Sequence, residues 1–258
     1  MLSTTDSLGK RNEEIALRII FAVVLSLMIA SASSFAADIS KEESEKIEQV
    51  VHAYLLDNPE IVIEAIEKYR YQQEEIQKKS QGELLKKHLD FLLGKDRASA
   101  GNPEGDVTIV EFFDYNCGYC KRALADIMDV IESDKNVRIV LLDLPILSPL
   151  SEVAAKWALA AGKQGKYFDY HVALMKAGGQ KSEAKLEELA SELGLDVARL
   201  RKDAESEEIS KELEKIREIA TEVGVMGTPA FIIGDEFNRG YMGSVALKEA
   251  ISKARESK

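Results

Sequence analysis

The only cysteines in this chain of 258 residues are Cys117 and Cys120, which are separated by Gly118 and Tyr119. A Cys-x-x-Cys pair that follows a strand and opens a helix is typical of a redox-active dithiol. The unpaired N–H groups and the dipole at a helix N-terminus favour an anion, so we expect Cys117 to react as a thiolate. Cys120 lies one helical turn later and would resolve the mixed disulfide that Cys117 forms.

Two other interpretations of the cysteine pair stay open at this point. A purely structural disulfide over so short a loop would remove little chain entropy. A zinc site needs about four ligands, but there is no further cysteine, and His52, His88 and His171 are remote in sequence. The redox interpretation predicts a reversible Cys117–Cys120 disulfide, no bound metal and no separate cofactor.

Composition excludes several classes of protein. With 16 Gly, 5 Pro and 2 Cys, the chain is not collagen-like, low-complexity or disulfide-dense. The net charge is −11, from 34 basic and 45 acidic residues. This balance argues against nucleic acid as a partner and against peripheral attachment to anionic lipid, since both need a concentrated basic surface.

The first residues have the pattern of a secretory signal. Basic residues precede an apolar run over 19–32, and small residues follow it. We predict a signal peptide over 1–36, cleaved after Ala36. The alternative is an uncleaved membrane anchor, although a spanning helix needs about 20 apolar residues. Both interpretations place the remaining chain outside the cytosol, in the periplasm, where disulfides persist.

Residues 37–93 are predicted to be helical. Ser40 and Glu43 have the spacing of a capping box, and apolar residues recur at helical spacing on both sides of a break at 58–59. We expect this segment to pair between copies of the chain; the alternative is a helical hairpin packed on the following domain. Gly, Pro, Asn and Ser over 94–105 predict a linker.

The rest of the chain alternates between strand and helix patterns, which predicts an α/β fold with a helical insertion. The predicted elements are a strand at 107–113, a helix from 118 to about 131, a strand at 137–142, helices over 151–224, strands at 230–233 and 239–242, and a closing helix from 245 to about 255.

Two stretches of sequence carry a family resemblance. VTIVEFFDYNCGYCK at 107–121 and VGVMGTPAFIIG at 223–234 resemble the DsbA family of exported thiol–disulfide oxidoreductases, which implies a thioredoxin fold over 98–258. The stretch DNPEIVIEAIE, within 37–93, resembles the ScsC-like (suppressor of copper sensitivity) subgroup. Some members of that subgroup oligomerise through this region, which implies a homo-oligomer such as a trimer.

The resemblance also implies roles for individual residues. Cys117 corresponds to the nucleophile and Cys120 to the resolving thiol. Pro229 matches a cis-proline that faces the cysteine pair and leaves the Thr228 backbone free to pair with a client chain. Glu111 matches a buried acid whose raised pKa would let it take the Cys120 proton. From the residues alone, Pro229 could equally be a trans proline at a strand edge, and Glu111 an ordinary charge there.

The dipeptide between the cysteines bears on the direction of the reaction. Gly118-Tyr119 replaces the Pro-His of the DsbA pattern, and with Thr228 it resembles the DsbC-type isomerases. We therefore predict an isomerase or reductase whose clients are misfolded or reduced envelope proteins, and which an inner-membrane thiol redox partner keeps reduced. The alternatives are a DsbA-like oxidase and a non-enzymatic oligomeric chaperone or copper-binding protein.

Overall fold

A computed structural model describes residues 40–257. The predicted signal segment, 1–36, lies outside this range. The chain divides into two compact units, and the boundary between them falls between Tyr71 and Gln72. Within the described range, none of the helices has both the length and the apolar character needed to cross a bilayer.

The described part of the first unit is helical. Helix α1, Lys41–Asp57, begins with the predicted capping box: the Ser40 hydroxyl accepts the Glu43 N–H, and the Glu43 carboxylate accepts the Ser40 N–H. Asn58 ends α1, and helix α2, Glu60–Lys87, follows. No residue of α1 is buried, so its apolar side chains face solvent in the single chain.

A five-stranded mixed sheet forms the centre of the second unit, in the order β1-β3-β2-β4-β5. Strands β2 and β3 are parallel, and the other neighbouring pairs are antiparallel. The strands are β1 Ser99–Gly101, β2 Val107–Phe113, β3 Val137–Asp143, β4 Ala230–Ile233 and β5 Glu236–Arg239.

Two sequence predictions about this sheet were wrong. The last strand is β5 rather than 239–242, because the chain reverses in a tight turn at Gly234, whose φ of 58° suits glycine. The predicted linker 94–105 contains β1, which pairs with β3 at the sheet edge. The buried Arg138 on β3 also donates to the carbonyl oxygens of Leu93 and Gly94, so the start of this segment is held on the sheet.

Helices cover both faces of the sheet. The predicted helical block over 151–224 is confirmed as a run of helices, α5 to α9. The helices after α2 are α3 Leu89–Leu92, α4 Gly118–Ser133, α5 Pro149–Gly162, α6 Tyr167–Lys176, α7 Glu183–Glu192, α8 Val197–Ala204, α9 Glu207–Glu222 and α10 Ser244–Glu256.

Alternation along β2 divides the core between the two faces. Ile109 and Phe113 pack into the larger apolar cluster with α4, α5 to α8 and α10. Val110 and Phe112 point the other way, into a smaller cluster with α9 and the region of α2 and α3. Side chains at odd-numbered positions of β2 therefore face α4, the helix that begins at the cysteine pair.

Candidate active site

The cysteine pair lies at the start of α4. Cys117 is the N-cap residue, and its Sγ accepts the N–H of Cys120 at 3.4 Å. Both cysteines are free thiols and buried, with 6% and 1% of their surface exposed. A sulfur that already accepts an N–H at a helix N-terminus lies where negative charge is stabilised. The local sequence, a strand followed by a short turn, brings Cys117 to this end of the sheet.

The loop before β4 faces the pair. The Cys117 thiol donates to the carbonyl oxygen of Thr228 at 3.2 Å. The Thr228–Pro229 peptide bond is cis, the isomer that the resemblance implies. Thr228 is half-buried, and its backbone carbonyl faces the reactive sulfur.

Glu111 lies beneath the pair on β2. Only 2% of its surface is exposed, and its Oε1 has no hydrogen-bond partner. Burial, with a smaller contribution from the Cys117 sulfur, raises the pKa of Glu111 to about 8. Burial and the Glu111 carboxylate likewise raise the pKa of the Cys120 thiol well above its ordinary value. Both groups are therefore mainly protonated at neutral pH, and an ionised Glu111 disfavours ionisation of Cys120.

Asp114, which the sequence analysis missed, holds the loop that carries Cys117. Its side chain is buried and accepts three backbone N–H groups, those of Asn116 at 2.7 Å, Ile146 at 2.9 Å and Leu147 at 3.0 Å. The Asn116 side chain in turn donates to Ser151 Oγ at 2.9 Å. The sequence did contain a signal for this role. Asp114 directly follows a strand and lies two residues before Asn116, and Asp side chains often accept the N–H of the residue two positions later.

An exposed apolar rim, formed by Tyr119, Tyr241 and Met226, lies at the start of α4 and beside the Thr228 loop. Tyr119 and Tyr241 are 58% and 42% exposed, and their ring centroids are 6.2 Å apart. The Arg122 guanidinium lies over the Tyr119 ring, and Tyr241 Oη donates to Asp126. Met226, before the Thr228 carbonyl, is 89% exposed. An exposed apolar surface of this kind fits unfolded polypeptide better than a folded polar surface.

The structure brings together all the site residues singled out from the sequence, although more than a hundred residues separate the cysteines from the Thr228–Pro229 loop. It does not bring the histidines to them. His88 pairs with Glu222 at 2.7 Å, and His171 lies against Tyr115. In the described range no group of three or more His, Cys, Asp or Glu side chains is arranged to hold a metal ion.

Two family models match the chain. A model described as DSBA-like thioredoxin domain matches residues 108–252, more than half of the chain. A second model, described as copper resistance protein ScsC N-terminal domain, matches residues 43–75. These matches confirm the resemblance to the DsbA family and to its ScsC-like subgroup.

Solved structures share the fold. A thioredoxin-like oxidoreductase from Silicibacter pomeroyi DSS-3 is 40% identical, with a TM-score of 0.64 over 66% of this chain and 98% of that chain. A linker-deletion variant of ScsC from Proteus mirabilis is 22% identical, with a TM-score of 0.65 over 86% of this chain and 100% of that chain. The prediction of a thioredoxin fold with a helical insertion, preceded by N-terminal helices, is confirmed.

Among curated proteins, a Na(+)/H(+) antiporter NhaA 1 from Salinispora arenicola is 31% identical over 156 residues. The match covers 60% of this chain and 24% of the antiporter. The chain therefore spans about a quarter of the length of that relative.

Proposed function

The chain belongs to the family of DSBA-like thioredoxin domain proteins, and on that premise we propose that it is a protein-disulfide isomerase or reductase of the bacterial cell envelope. One observation carries this proposal: Cys117 Sγ lies within 3.4 Å of the Cys120 N–H and 3.2 Å of the Thr228 carbonyl oxygen. The arrangement combines a stabilised sulfur with a backbone edge on which a client segment can lie.

The reaction starts with the Cys117 thiolate. It attacks one sulfur of a client disulfide, so that a Cys117–client bond forms, the client bond breaks and the second client sulfur leaves as a thiolate. In isomerisation, another client thiolate attacks the mixed disulfide and releases Cys117, with no net transfer of electrons. In reduction, Cys120 attacks Cys117, which leaves the Cys117–Cys120 disulfide in the protein and two electrons in the client.

Glu111 acts in the reductive step, in which Cys120 attacks Cys117. Cys120 must lose its proton before it attacks, and burial opposes that loss. Glu111 lies close enough to raise the pKa of Cys120 and itself has a pKa of about 8. With a pKa of about 8, Glu111 is ionised in a minority of molecules at pH 7, and in that form its carboxylate can accept the Cys120 proton. We assign Glu111 this role.

Client binding would use the backbone and the apolar rim. The Thr228 backbone can pair with an extended client segment as an added strand, while Tyr119 and Met226 contact its side chains. The Gly118-Tyr119 dipeptide provides no cationic side chain to stabilise the Cys117 thiolate. This favours a less oxidising disulfide, and therefore isomerisation or reduction over oxidation.

Exposed apolar side chains on α1 and the first part of α2 support assembly. Each is about half exposed or more in the single chain, in the region that matches the ScsC N-terminal model. They are Ile47, Val50, Val51, Tyr54, Ile63, Ile66 and Tyr69. We propose that they pair between copies to form a homo-oligomer such as a trimer, because pairing would remove these side chains from water. Several active sites in one assembly would raise the effective concentration of thiolate around a client.

The proposal includes a compartment and partners. The clients are misfolded or reduced proteins of the periplasm. An inner-membrane partner with a dithiol re-reduces Cys117–Cys120 after each reductive cycle, since two electrons leave the protein at that step.

Paired ribonuclease assays test this function. We expect the reduced protein to reactivate scrambled ribonuclease, and the oxidised protein, with its Cys117–Cys120 disulfide formed, to oxidise reduced ribonuclease only slowly. Cys117→Ala should abolish reactivation, whereas Cys120→Ala should retain part of it and accumulate mixed disulfides. Fast oxidation without reactivation would contradict the isomerase and support a DsbA-like oxidase. Suppression of client aggregation that survives replacement of both cysteines by alanine would support a chaperone, and stoichiometric Cu(I) retention a copper-binding protein.

A further inference from the structure

Four polar side chains are buried together behind the loop that carries Cys117. This buried polar cluster consists of Tyr115, Asp143, Tyr167 and His171, of which Tyr167 is the most exposed at 8%. Tyr167 Oη donates to Asp143 Oδ2 at 2.6 Å, and Tyr115 Oη lies 3.2 Å from His171 Nδ1. The chemistry described above uses none of them.

The cluster is electrically neutral at pH 7. Burial raises the pKa of Asp143 to about 8 and lowers the pKa of His171 to about 3. A neutral His171 can share one hydrogen bond between Nδ1 and the Tyr115 hydroxyl, and the tautomer sets which of the two donates. Asp143 Oδ1 has no hydrogen-bond partner, an arrangement that a protonated carboxyl tolerates better than a carboxylate. Hydrogen bonds between neutral groups therefore hold the cluster together.

The cluster joins three elements of the fold. Tyr115 belongs to the loop and lies two residues before Cys117, and Asp143 ends β3 directly opposite Phe113 of β2. Tyr167 and His171 lie four residues apart and therefore on one face of α6. The helical insertion thus reaches the cysteine loop through Tyr115, while Asp114 is bonded to the backbone before α5.

We propose that the buried polar cluster positions Cys117, and that Tyr167 and Asp143 are positioning residues for thiol–disulfide exchange. The loop must hold the sulfur both at the helix N-terminus and beside Thr228, and small misplacements of a reacting atom slow a reaction strongly. The proposal rests on the proposed function for its link to exchange, although its first test does not require a protein client.

The test compares two buried tyrosines of the same helix. Tyr167→Phe removes the bond to Asp143, whereas Tyr170→Phe removes an equally buried bond, from Tyr170 Oη to the Leu186 carbonyl at 2.9 Å, inside the insertion. The measurement is the rate at which iodoacetamide alkylates Cys117 in the folded Cys120→Ala protein, with urea unfolding alongside. We expect both variants to lose similar stability and only Tyr167→Phe to react about fivefold more slowly, the factor that corresponds to one neutral hydrogen bond.

Substitutions of Asp143 separate hydrogen bonding from charge. Asp143→Asn stays neutral and can still accept from Tyr167, so we expect it to retain the wild-type rate, whereas Asp143→Leu should be as slow as Tyr167→Phe. Equal rates in the two tyrosine variants, or an Asn variant as slow as the Leu variant, would overturn the proposal. Failure of the wild-type protein to reduce insulin would instead refute the proposed function, because alkylation of Cys117 needs no exchange activity.

Discussion

Replacing Glu111 by glutamine should stabilise the protein at neutral pH, even though it removes a residue of the active site. Only 2% of Glu111 is exposed, and its pKa rises from an ordinary 4.5 to about 8 in the fold. At pH 7, release of this proton lowers the free energy of the unfolded chain but not that of the folded chain. At 1.36 kcal/mol for each pH unit between 4.5 and 7, the wild-type side chain lowers the free energy of unfolding at pH 7 by about 3 kcal/mol. Glutamine has nearly the same shape and no proton to release.

The effect should depend on pH in a defined direction. Because the folded-state pKa is raised, the folded protein binds more protons than the unfolded chain between pH 4.5 and 8. The stability associated with Glu111 is therefore complete below pH 4.5 and is lost as the pH rises to about 8. The advantage of Glu111→Gln should be near zero at pH 4 and should reach its full size above pH 8.

Urea unfolding of the reduced wild-type and Glu111→Gln proteins at pH 4, 6, 7 and 8.5 measures this difference. Asp143 has a pKa of about 8 for the same reason, but it contributes equally to both proteins and cancels in the comparison. Glu74→Gln, an exposed substitution on α2, is the matched control and should leave the pH dependence unchanged. Parallel pH profiles for the wild-type and Glu111→Gln proteins would refute the reasoning.

Three further predictions follow from the same contacts. Glu111→Gln should leave the rate of Cys117 alkylation unchanged but slow the step in which Cys120 releases a client from the mixed disulfide. Stopped-flow mixing with a labelled peptide would measure this release, and an unchanged rate would exclude the proton-acceptor role. Asp114→Ala should lower the unfolding free energy by about 3 kcal/mol, because it leaves three partly buried N–H groups without their side-chain acceptor. A urea midpoint equal to that of the wild type would contradict this. Removal of residues 37–71 should give a folded monomer by sedimentation, whereas removal of 37–93 should also unfold part of the core, because α2 and α3 each bury a leucine in the smaller cluster. Equal stability of the two truncated proteins would show that this packing contributes nothing.

Several features of the chain could be predicted from sequence because neighbouring residues are enough to produce them. A serine followed three residues later by glutamate caps α1, since both partners lie within one turn. A buried strand followed by a short turn places the cysteine pair at the start of the next helix. The helical insertion was predicted from apolar spacing, and its breaks come near glycines with positive φ, including Gly165 and Gly194.

Other features depend on residues that are distant in sequence. Strand β1 has three residues, too few to show alternation, and exists because the edge of β3 offers unpaired backbone groups. Strand β5 begins earlier in the sequence than the predicted strand at 239–242, because the tight turn at Gly234 sets the register of the hairpin. The role of Asp114 depends on N–H groups more than thirty residues away, which no local pattern reveals.

The chemistry of the site likewise depends partly on local sequence and partly on the tertiary structure. The residue types and their order determined that two sulfurs would lie one helical turn apart, since this depends only on helix geometry. Whether Glu111 and Asp143 would be ordinary carboxylates or acids with a pKa near 8 was decided by the packing of distant helices against the sheet. Desolvation arises only when those helices remove water from both side chains, and so it belongs to the folded molecule rather than to any segment of it.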